Sequence, residues 1–104
     1  MKYIISLLIV LCLSTVATAK ELIVVGADWC PYCVKQKQYM KDNHDVIKNF
    51  DMEYIDVDKN PELRSKLNIK VFPSSFIFDD NHRKVGELRG FTPAKFNEWI
   101  KRYE

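Results

Sequence analysis

The hydrophobic pattern of the chain changes period several times, and each change marks a predicted element. Residues 22–25 form a short apolar run, mostly β-branched, that ends at Gly26, which is typical of a buried parallel strand. Residues 52–57 alternate between apolar and polar side chains and predict a second strand. Between the two strands, apolar residues at helical spacing predict a helix that begins at Pro31 and bends near residues 42–45.

The second half of the chain predicts further helices and strands, most of them shorter. Asn60 is predicted to cap a short helix whose first residue is Pro61. Residues 74–78 predict a third strand, and a polar turn at residues 79–82 joins it to a hairpin partner at residues 84–89.

A final helix is predicted after Thr92, a favoured capping residue, with Pro93 in the first helical position. Its apolar stripe consists of Phe96, Trp99, Ile100 and Tyr103. The predicted order of elements is therefore β-α-β-α-β-β-α. A crossover helix between the first two strands implies a parallel pair, and the hairpin adds antiparallel strands. We therefore expect an α/β fold with a mixed four-stranded sheet and helices on both faces.

Residues 1–19 have the pattern of a cleavable export signal. Lys2 supplies a positive charge, residues 3–13 form an apolar core, and Ala17-Thr18-Ala19 is an A-x-A cleavage site. We therefore expect the mature chain to begin at Lys20 and the protein to be periplasmic or secreted. An uncleaved membrane anchor is the alternative, but the apolar run is shorter than the ~20 residues that a membrane span needs.

The charge and length of the chain limit its possible partners and its domain count. Among 104 residues, 16 Lys and Arg stand against 14 Asp and Glu, which gives a formal net charge of +2. Nucleic-acid binding needs a strong and clustered basic excess, so we expect no nucleic-acid partner. The length after the signal supports one modest core, which predicts a single domain over residues 20–104. We also expect a monomer.

The segment that contains the candidate reactive residues is Asp-Trp-Cys-Pro-Tyr-Cys at residues 28–33. It lies at the predicted junction of the first strand and the first helix. Two cysteines separated by two residues can form and break a disulfide. The unpaired amides and the dipole of the first helical turn favour a thiolate at Cys30, and Pro31 suits that turn because it has no amide hydrogen. We therefore expect Cys30 to be the accessible nucleophile and Cys33 to be the shielded thiol.

Two other roles for this cysteine pair are less consistent with the sequence. A zinc site would need two further ligands, and His44 and His82 do not stand at a recognisable finger spacing. A purely structural disulfide would close a loop too short to restrain the unfolded chain much. We therefore expect neither a metal nor another cofactor. The third cysteine, Cys12, lies in the apolar core of the predicted signal and should be removed with it.

The order of elements and three sequence segments together resemble the thioredoxin family over essentially the whole predicted mature chain. These segments are residues 28–33, residues 56–61 (Asp-Val-Asp-Lys-Asn-Pro) and residues 71–74 (Val-Phe-Pro-Ser). The resemblance implies a thioredoxin-like fold. It also implies a trimmed version, because only Lys20 and Glu21 stand between the predicted signal and the first strand.

The resemblance also implies roles for particular residues. Cys30 would attack a partner's disulfide, and Cys33 would resolve the mixed disulfide. Pro73 would be cis beside this pair, the backbone of Phe72 would pair with an extended partner chain, and Gly90 would help to form the substrate groove. The docking surface beside the nucleophile would include Trp29, Pro31 and Tyr32. A position in the core is the alternative for the tryptophan.

Two features depart from the thioredoxin pattern. Thioredoxins have a buried acid six positions before the first motif cysteine and a lysine on the neighbouring strand, and both assist proton transfer. The matching positions here are Val24 and Tyr54, so proton transfer must be handled differently. The dipeptide Pro31-Tyr32 is that of glutaredoxins, but the chain has no convincing glutathione-binding pattern, and dependence on glutathione is not favoured.

The resemblance and the predicted signal together imply an exported thiol–disulfide oxidoreductase that reduces or exchanges disulfides in envelope or secreted proteins. A reductant in an oxidising compartment needs an electron donor, so a membrane thiol carrier is implied as a partner besides the protein substrates. Two alternatives remain open. One is a glutaredoxin-like or oxidising, disulfide-forming enzyme, and the other is a thioredoxin-fold binding module whose cysteines are dispensable.

Overall fold

A computed structural model of the protein describes residues 20–104. Its elements follow the predicted order. They are the strands β1 (Lys20–Gly26), β2 (Phe50–Asp56), β3 (Ser74–Phe78) and β4 (Lys84–Arg89) and the helices α1 (Pro31–Asp42), α2 (Glu62–Lys66) and α3 (Pro93–Lys101). The predicted signal peptide, with its cysteine, lies outside the described residues. No helix within residues 20–104 has the length and apolar character needed to cross a membrane.

The sheet is mixed and has the strand order β2-β1-β3-β4. Strand β1 pairs in parallel with β2 and antiparallel with β3, and β3 pairs antiparallel with β4. The four-stranded mixed sheet expected from the sequence is therefore confirmed. Its register places Val24 of β1 beside Tyr54 of β2 and beside Ser75 of β3. Because directly paired residues point to the same face of a sheet, these three side chains form a row across three strands.

Successive side chains of β1 point to opposite faces of the sheet and contribute to two buried clusters, one on each face. On one face, Leu22 packs in a cluster with side chains from α1 and α3. On the other face, Val25 packs in a cluster with Ile69 and Phe76, and this cluster includes both cysteines. The core therefore has two layers that meet at the central strand.

The boundaries of several elements differ from the prediction by a few residues. Strand β1 begins at Lys20 rather than at Leu22, so Lys20 and Glu21 belong to the strand and do not precede it. Strand β2 begins at Phe50 rather than at residue 52, because its parallel pairing with β1 already starts opposite Lys20. Helix α1 ends at Asp42 and is followed by one turn of 3₁₀ helix at His44–Val46. This turn accounts for the bend that the sequence predicts.

One predicted helix cap is found and another is wrong. Thr92 caps α3, because its Oγ1 accepts the amide hydrogen of Lys95 at 3.2 Å. Asn60 does not cap α2. Its side-chain amide donates instead to the carbonyl of Asp56 at 3.1 Å, and Pro61 occupies the cap position without a side-chain bond. The asparagine therefore closes the turn after β2 rather than opening the helix.

Candidate active site

The carboxyl end of β1 leads directly to Cys30 at the start of α1. The amide of Cys30 donates to the carbonyl of Ala27 at 3.1 Å and closes the turn after the strand. Cys30 then takes the cap position of α1, with φ of −95° and ψ of 113°, and Pro31 is the first helical residue. The Sγ atom of Cys30 accepts the amide hydrogen of Cys33 at 3.2 Å, as a serine or aspartate oxygen does in ordinary caps. The sulfur therefore faces the positive end of the helix dipole.

The two thiols are both free, but they differ in exposure. Cys30 is 5 % exposed and Cys33 is fully buried. Burial raises the pKa of Cys33 to about 12, and the hydrogen bond with the Cys30 side chain adds to the rise. Cys33 is therefore a protonated thiol at neutral pH, and it must lose its proton before it can attack a disulfide.

A cis peptide bond between Phe72 and Pro73 lies beside the cysteine pair. The Cys30 thiol donates to the carbonyl of Phe72 at 3.6 Å, which explains why this thiol is more enclosed than the sequence suggests. Pro73 is buried, and its carbonyl accepts the amide hydrogen of Gly90 at 2.7 Å. Gly90 has a φ of 82°, in the left-handed region that favours glycine. A backbone hydrogen bond thus links Gly90 to the segment that touches Cys30.

An exposed aromatic rim surrounds the enclosed sulfur of Cys30. Trp29 is 62 % exposed, so it is not a core residue. Its Nε1 donates to Asp58 Oδ2 at 2.9 Å, and its ring meets the edge of the Phe72 ring at a centroid distance of 5.8 Å. Tyr32 is also exposed, as is Pro31. The predicted docking residues are therefore on the surface, and Trp29 is held there by a hydrogen bond rather than by packing in the core.

The rim contains further residues that sequence reasoning did not assign to the site. Val34, directly after Cys33, and Val71, directly before Phe72, are exposed apolar side chains. The Arg64 guanidinium lies over the Phe72 ring at 5.3 Å, and Asp58 fixes the indole of Trp29. Asp58 belongs to the thioredoxin-like segment at residues 56–61, which was a signal for its importance.

Polar side chains lie on both sides of Val24, which is fully buried and stands between Tyr54 and Ser75 in the sheet. Gln36, one turn after Cys33, is also fully buried and donates from Nε2 to Ser75 Oγ at 2.9 Å, while its Oε1 has no partner among residues 20–104. On the other side of Val24, the pKa of Tyr54 is raised to about 12 by burial and by the charges of Cys33 and its neighbours. The spacing of apolar residues did not indicate that Gln36 is buried. Tyr54, in contrast, stands at the position that the resemblance to thioredoxins matches to their lysine.

The described part of the chain offers no alternative metal centre. Within residues 20–104, no group of three or more histidine, cysteine, aspartate or glutamate side chains could hold a metal ion. His44 and His82 are both exposed and lie in different turns.

Comparison with known protein families and solved structures identifies the family and the fold of the chain. The model of the thioredoxin-like domain matches residues 15–104. None of the curated protein sequences matches the chain. Among solved structures, Fasciola hepatica thioredoxin has a TM-score of 0.74 and 22% identity, over 83% of this chain and 82% of that chain. The reduced Schistosoma mansoni thioredoxin pre-protein has a TM-score of 0.73 and 25% identity, over 92% of this chain and 90% of that chain.

A third similar structure, Plasmodium falciparum thioredoxin, has a TM-score of 0.72 and 24% identity, over 90% of this chain and 79% of that chain. These likenesses confirm the thioredoxin-like fold expected from the sequence. The fold indicates thiol–disulfide oxidoreductase chemistry in general terms. Because the family model covers most of its length, the chain belongs to the thioredoxin-like domain family.

Proposed function

We propose that this protein is an exported thiol–disulfide oxidoreductase that reduces or exchanges disulfides in envelope or secreted proteins. The observation that carries the proposal is the position of Cys30 Sγ. This atom caps α1, accepts the amide hydrogen of Cys33 at 3.2 Å and lies 3.6 Å from the carbonyl of Phe72. A sulfur in this position meets a donor for its negative charge and lies beside a backbone segment, residues 69–73, that belongs to no strand and against which a partner chain can lie.

The reaction proceeds in two exchange steps. The Cys30 thiolate attacks one sulfur of the partner's disulfide, so the partner's S–S bond breaks, a mixed disulfide forms and the other partner sulfur leaves as a thiolate. Cys33 then loses its proton and attacks Cys30 Sγ. This second attack forms the Cys30–Cys33 disulfide and releases the remaining partner thiolate. The partner has gained two electrons, and the oxidised protein needs a thiol donor, for which a membrane thiol carrier is the proposed source.

The rim of the site supports a protein as the substrate rather than a small disulfide. Trp29 and Tyr32, which stand on either side of Cys30 in the sequence, present large exposed aromatic surfaces, and Val34 and Val71 are further exposed apolar side chains. Aromatic side chains supply contact area at low entropic cost and are enriched at protein interfaces. The substrate class is therefore a protein whose disulfide lies in an accessible, extended segment.

Trapping of mixed disulfides tests the proposed activity. A Cys33→Ser variant can form the mixed disulfide but cannot resolve it, so it should accumulate covalent complexes with proteins of the native envelope that a thiol reductant releases. The matched Cys30→Ser variant should trap none. Equal trapping by the two variants, or none by either, would contradict the assignment and favour a binding module with dispensable cysteines.

Two further measurements test the direction of electron flow and the export. Equilibration with glutathione buffers should give a reduction potential between the roughly −270 mV of thioredoxin and the roughly −120 mV of the strongest oxidant in the family. A value at the oxidant end would instead favour a disulfide-forming enzyme. Mass spectrometry of the protein from its native host should find Lys20 as the amino terminus. An intact Met1 in a soluble cytoplasmic fraction would contradict the export.

A further inference from the structure

The resolving step requires a route for the proton of Cys33. This thiol is fully buried and protonated at neutral pH. Val24, which lies in the sheet beneath the helix that carries Cys33, has an aliphatic side chain and cannot accept a proton. A different group must take the proton as Cys33 attacks, because a neutral thiol is a poor nucleophile.

The phenol of Tyr54 reaches this region from the neighbouring strand. Tyr54 is directly opposite Val24 in the parallel register, and its hydroxyl extends toward the end of β1. A Cβ atom built on Gly26 would clash with Tyr54 Oη and would lie 3.0 Å from Cys33 Cβ. The hydroxyl and the resolving cysteine therefore border the same small space, which exists because residue 26 is a glycine.

Tyr54 also lines a polar pocket that is open to solvent. This pocket has a volume of about 480 Å³. The charged groups around it come from every neighbouring element: Asp28 from the loop after β1, Lys37 from α1, Glu53 and Asp56 from β2, and Lys59 from the loop that follows. The ammonium group of Lys37 lies 4.7 Å from the centroid of the tyrosine ring. Water in this pocket can therefore exchange protons with the phenol.

We propose that the hydroxyl of Tyr54 relays the proton of Cys33 to solvent during the resolving step. The Tyr54 oxygen accepts the thiol proton, directly or through one water, while its own proton passes to water in the pocket. Tyr54 therefore begins and ends as a neutral phenol. The electron pair left on Cys33 forms the bond to Cys30 Sγ, and the partner sulfur leaves with the pair of the broken bond. This role rests on the proposed oxidoreductase function.

The pKa values of Tyr54 and Cys33 are consistent with a proton relay between them. Burial raises the pKa of Tyr54 to about 12, so the phenol keeps its proton at physiological pH and can donate as it accepts. The pKa of Cys33 is also raised to about 12. Because Tyr54 stays neutral before and after the step, the proton that Cys33 loses passes to water in the pocket and is not stored on the phenol.

The test separates the two exchange steps with a chromogenic aromatic disulfide. The reduced protein should release one aromatic thiol when Cys30 attacks and a second when Cys33 resolves the mixed disulfide. In Tyr54→Phe, the first phase should stay unchanged and the second should slow about a hundredfold at neutral pH, the low end of what a proton-transfer group contributes. The deficit should shrink as the pH rises, because hydroxide can then remove the proton directly.

Two further variants serve as a control and as an independent check. Tyr39→Phe removes a phenol on the same helix as Cys33, whose hydroxyl donates to Asn97 at 2.7 Å, and both phases should be unchanged. Gly26→Ala places a methyl group where the Tyr54 hydroxyl lies, so it should slow the second phase although the tyrosine is retained.

An unchanged second phase in Tyr54→Phe would overturn the relay. So would a slowing by the same factor at every pH, since that result would indicate a structural effect only. Absence of the first phase in the unmodified protein would instead overturn the proposed oxidoreductase function.

Discussion

The structure predicts that Cys33 is almost unreactive toward alkylating agents when it is the only thiol. In a Cys30→Ser variant, the serine hydroxyl can replace the sulfur as the cap of α1, so the helix should be retained. The pKa of Cys33 is about 12, compared with 9.0 for an ordinary thiol, and burial is the main cause. At about pH 8, the thiolate fraction is then about one in ten thousand rather than about one in ten.

The rate of carboxamidomethylation of this variant should therefore be about a thousandfold below that of a cysteine in a short peptide, because only the thiolate reacts. The rate should continue to rise with pH beyond the point at which the peptide levels off. Unfolding in guanidinium chloride should restore ordinary reactivity and serves as the control. A rate within tenfold of the peptide at pH 8, or a plateau near the ordinary thiol value, would refute the reasoning.

Three other predictions concern stability. Cys30→Ala should lower the free energy of unfolding by about 1 kcal/mol relative to Cys30→Ser in urea titrations, because alanine cannot accept the helix amide. The reduced protein should lose stability between about pH 9 and pH 12, because Cys33 ionises in the unfolded chain before it does so in the folded one, and Cys33→Ser should lose less. Ser75→Ala should destabilise the fold by about 1–3 kcal/mol because it leaves the Gln36 amide unpaired. The double variant Gln36→Leu/Ser75→Ala should recover that loss in the same titrations, and a further loss would contradict the account.

Local signals in the sequence were enough to predict the framework of the fold and the position of the cysteine pair. The apolar run of β1, the proline that opens α1 and the cap at Thr92 each act within a few residues, so they can be read from the chain. The position of the two cysteines follows from that framework. Their motif stands between the end of β1 and the first turn of α1, so it lies at the start of the helix.

Features that depend on contacts between distant segments could not be predicted in the same way. The indole of Trp29 is held by Asp58, which is 29 positions away, so its exposure depends on tertiary structure. A glutamine at position 36 would be expected on the surface from its residue type. In the structure it is buried, and its side-chain amide donates to Ser75 on β3. Asn60 has the residue type of a helix cap, yet the carbonyl of Asp56 was the nearer partner. In each case the role of the side chain depends on a hydrogen-bond partner that only the folded structure brings close. The sequence alone did not distinguish between the possible roles.

The strand order has a consequence for how other chains meet this protein. Within the described part of the chain, β2 and β4 are the edge strands of the sheet, and an unpaired edge is a template for unwanted pairing with another chain. Along β4, Glu87 forms ion pairs with Lys84 at 2.8 Å and with Arg89 at 2.6 Å, and a register shift at Ile77 interrupts the ladder beside it. Charges and irregular pairing of this kind oppose aggregation. Pairing with another chain is therefore discouraged along β4, the edge on the far side of the sheet from β2.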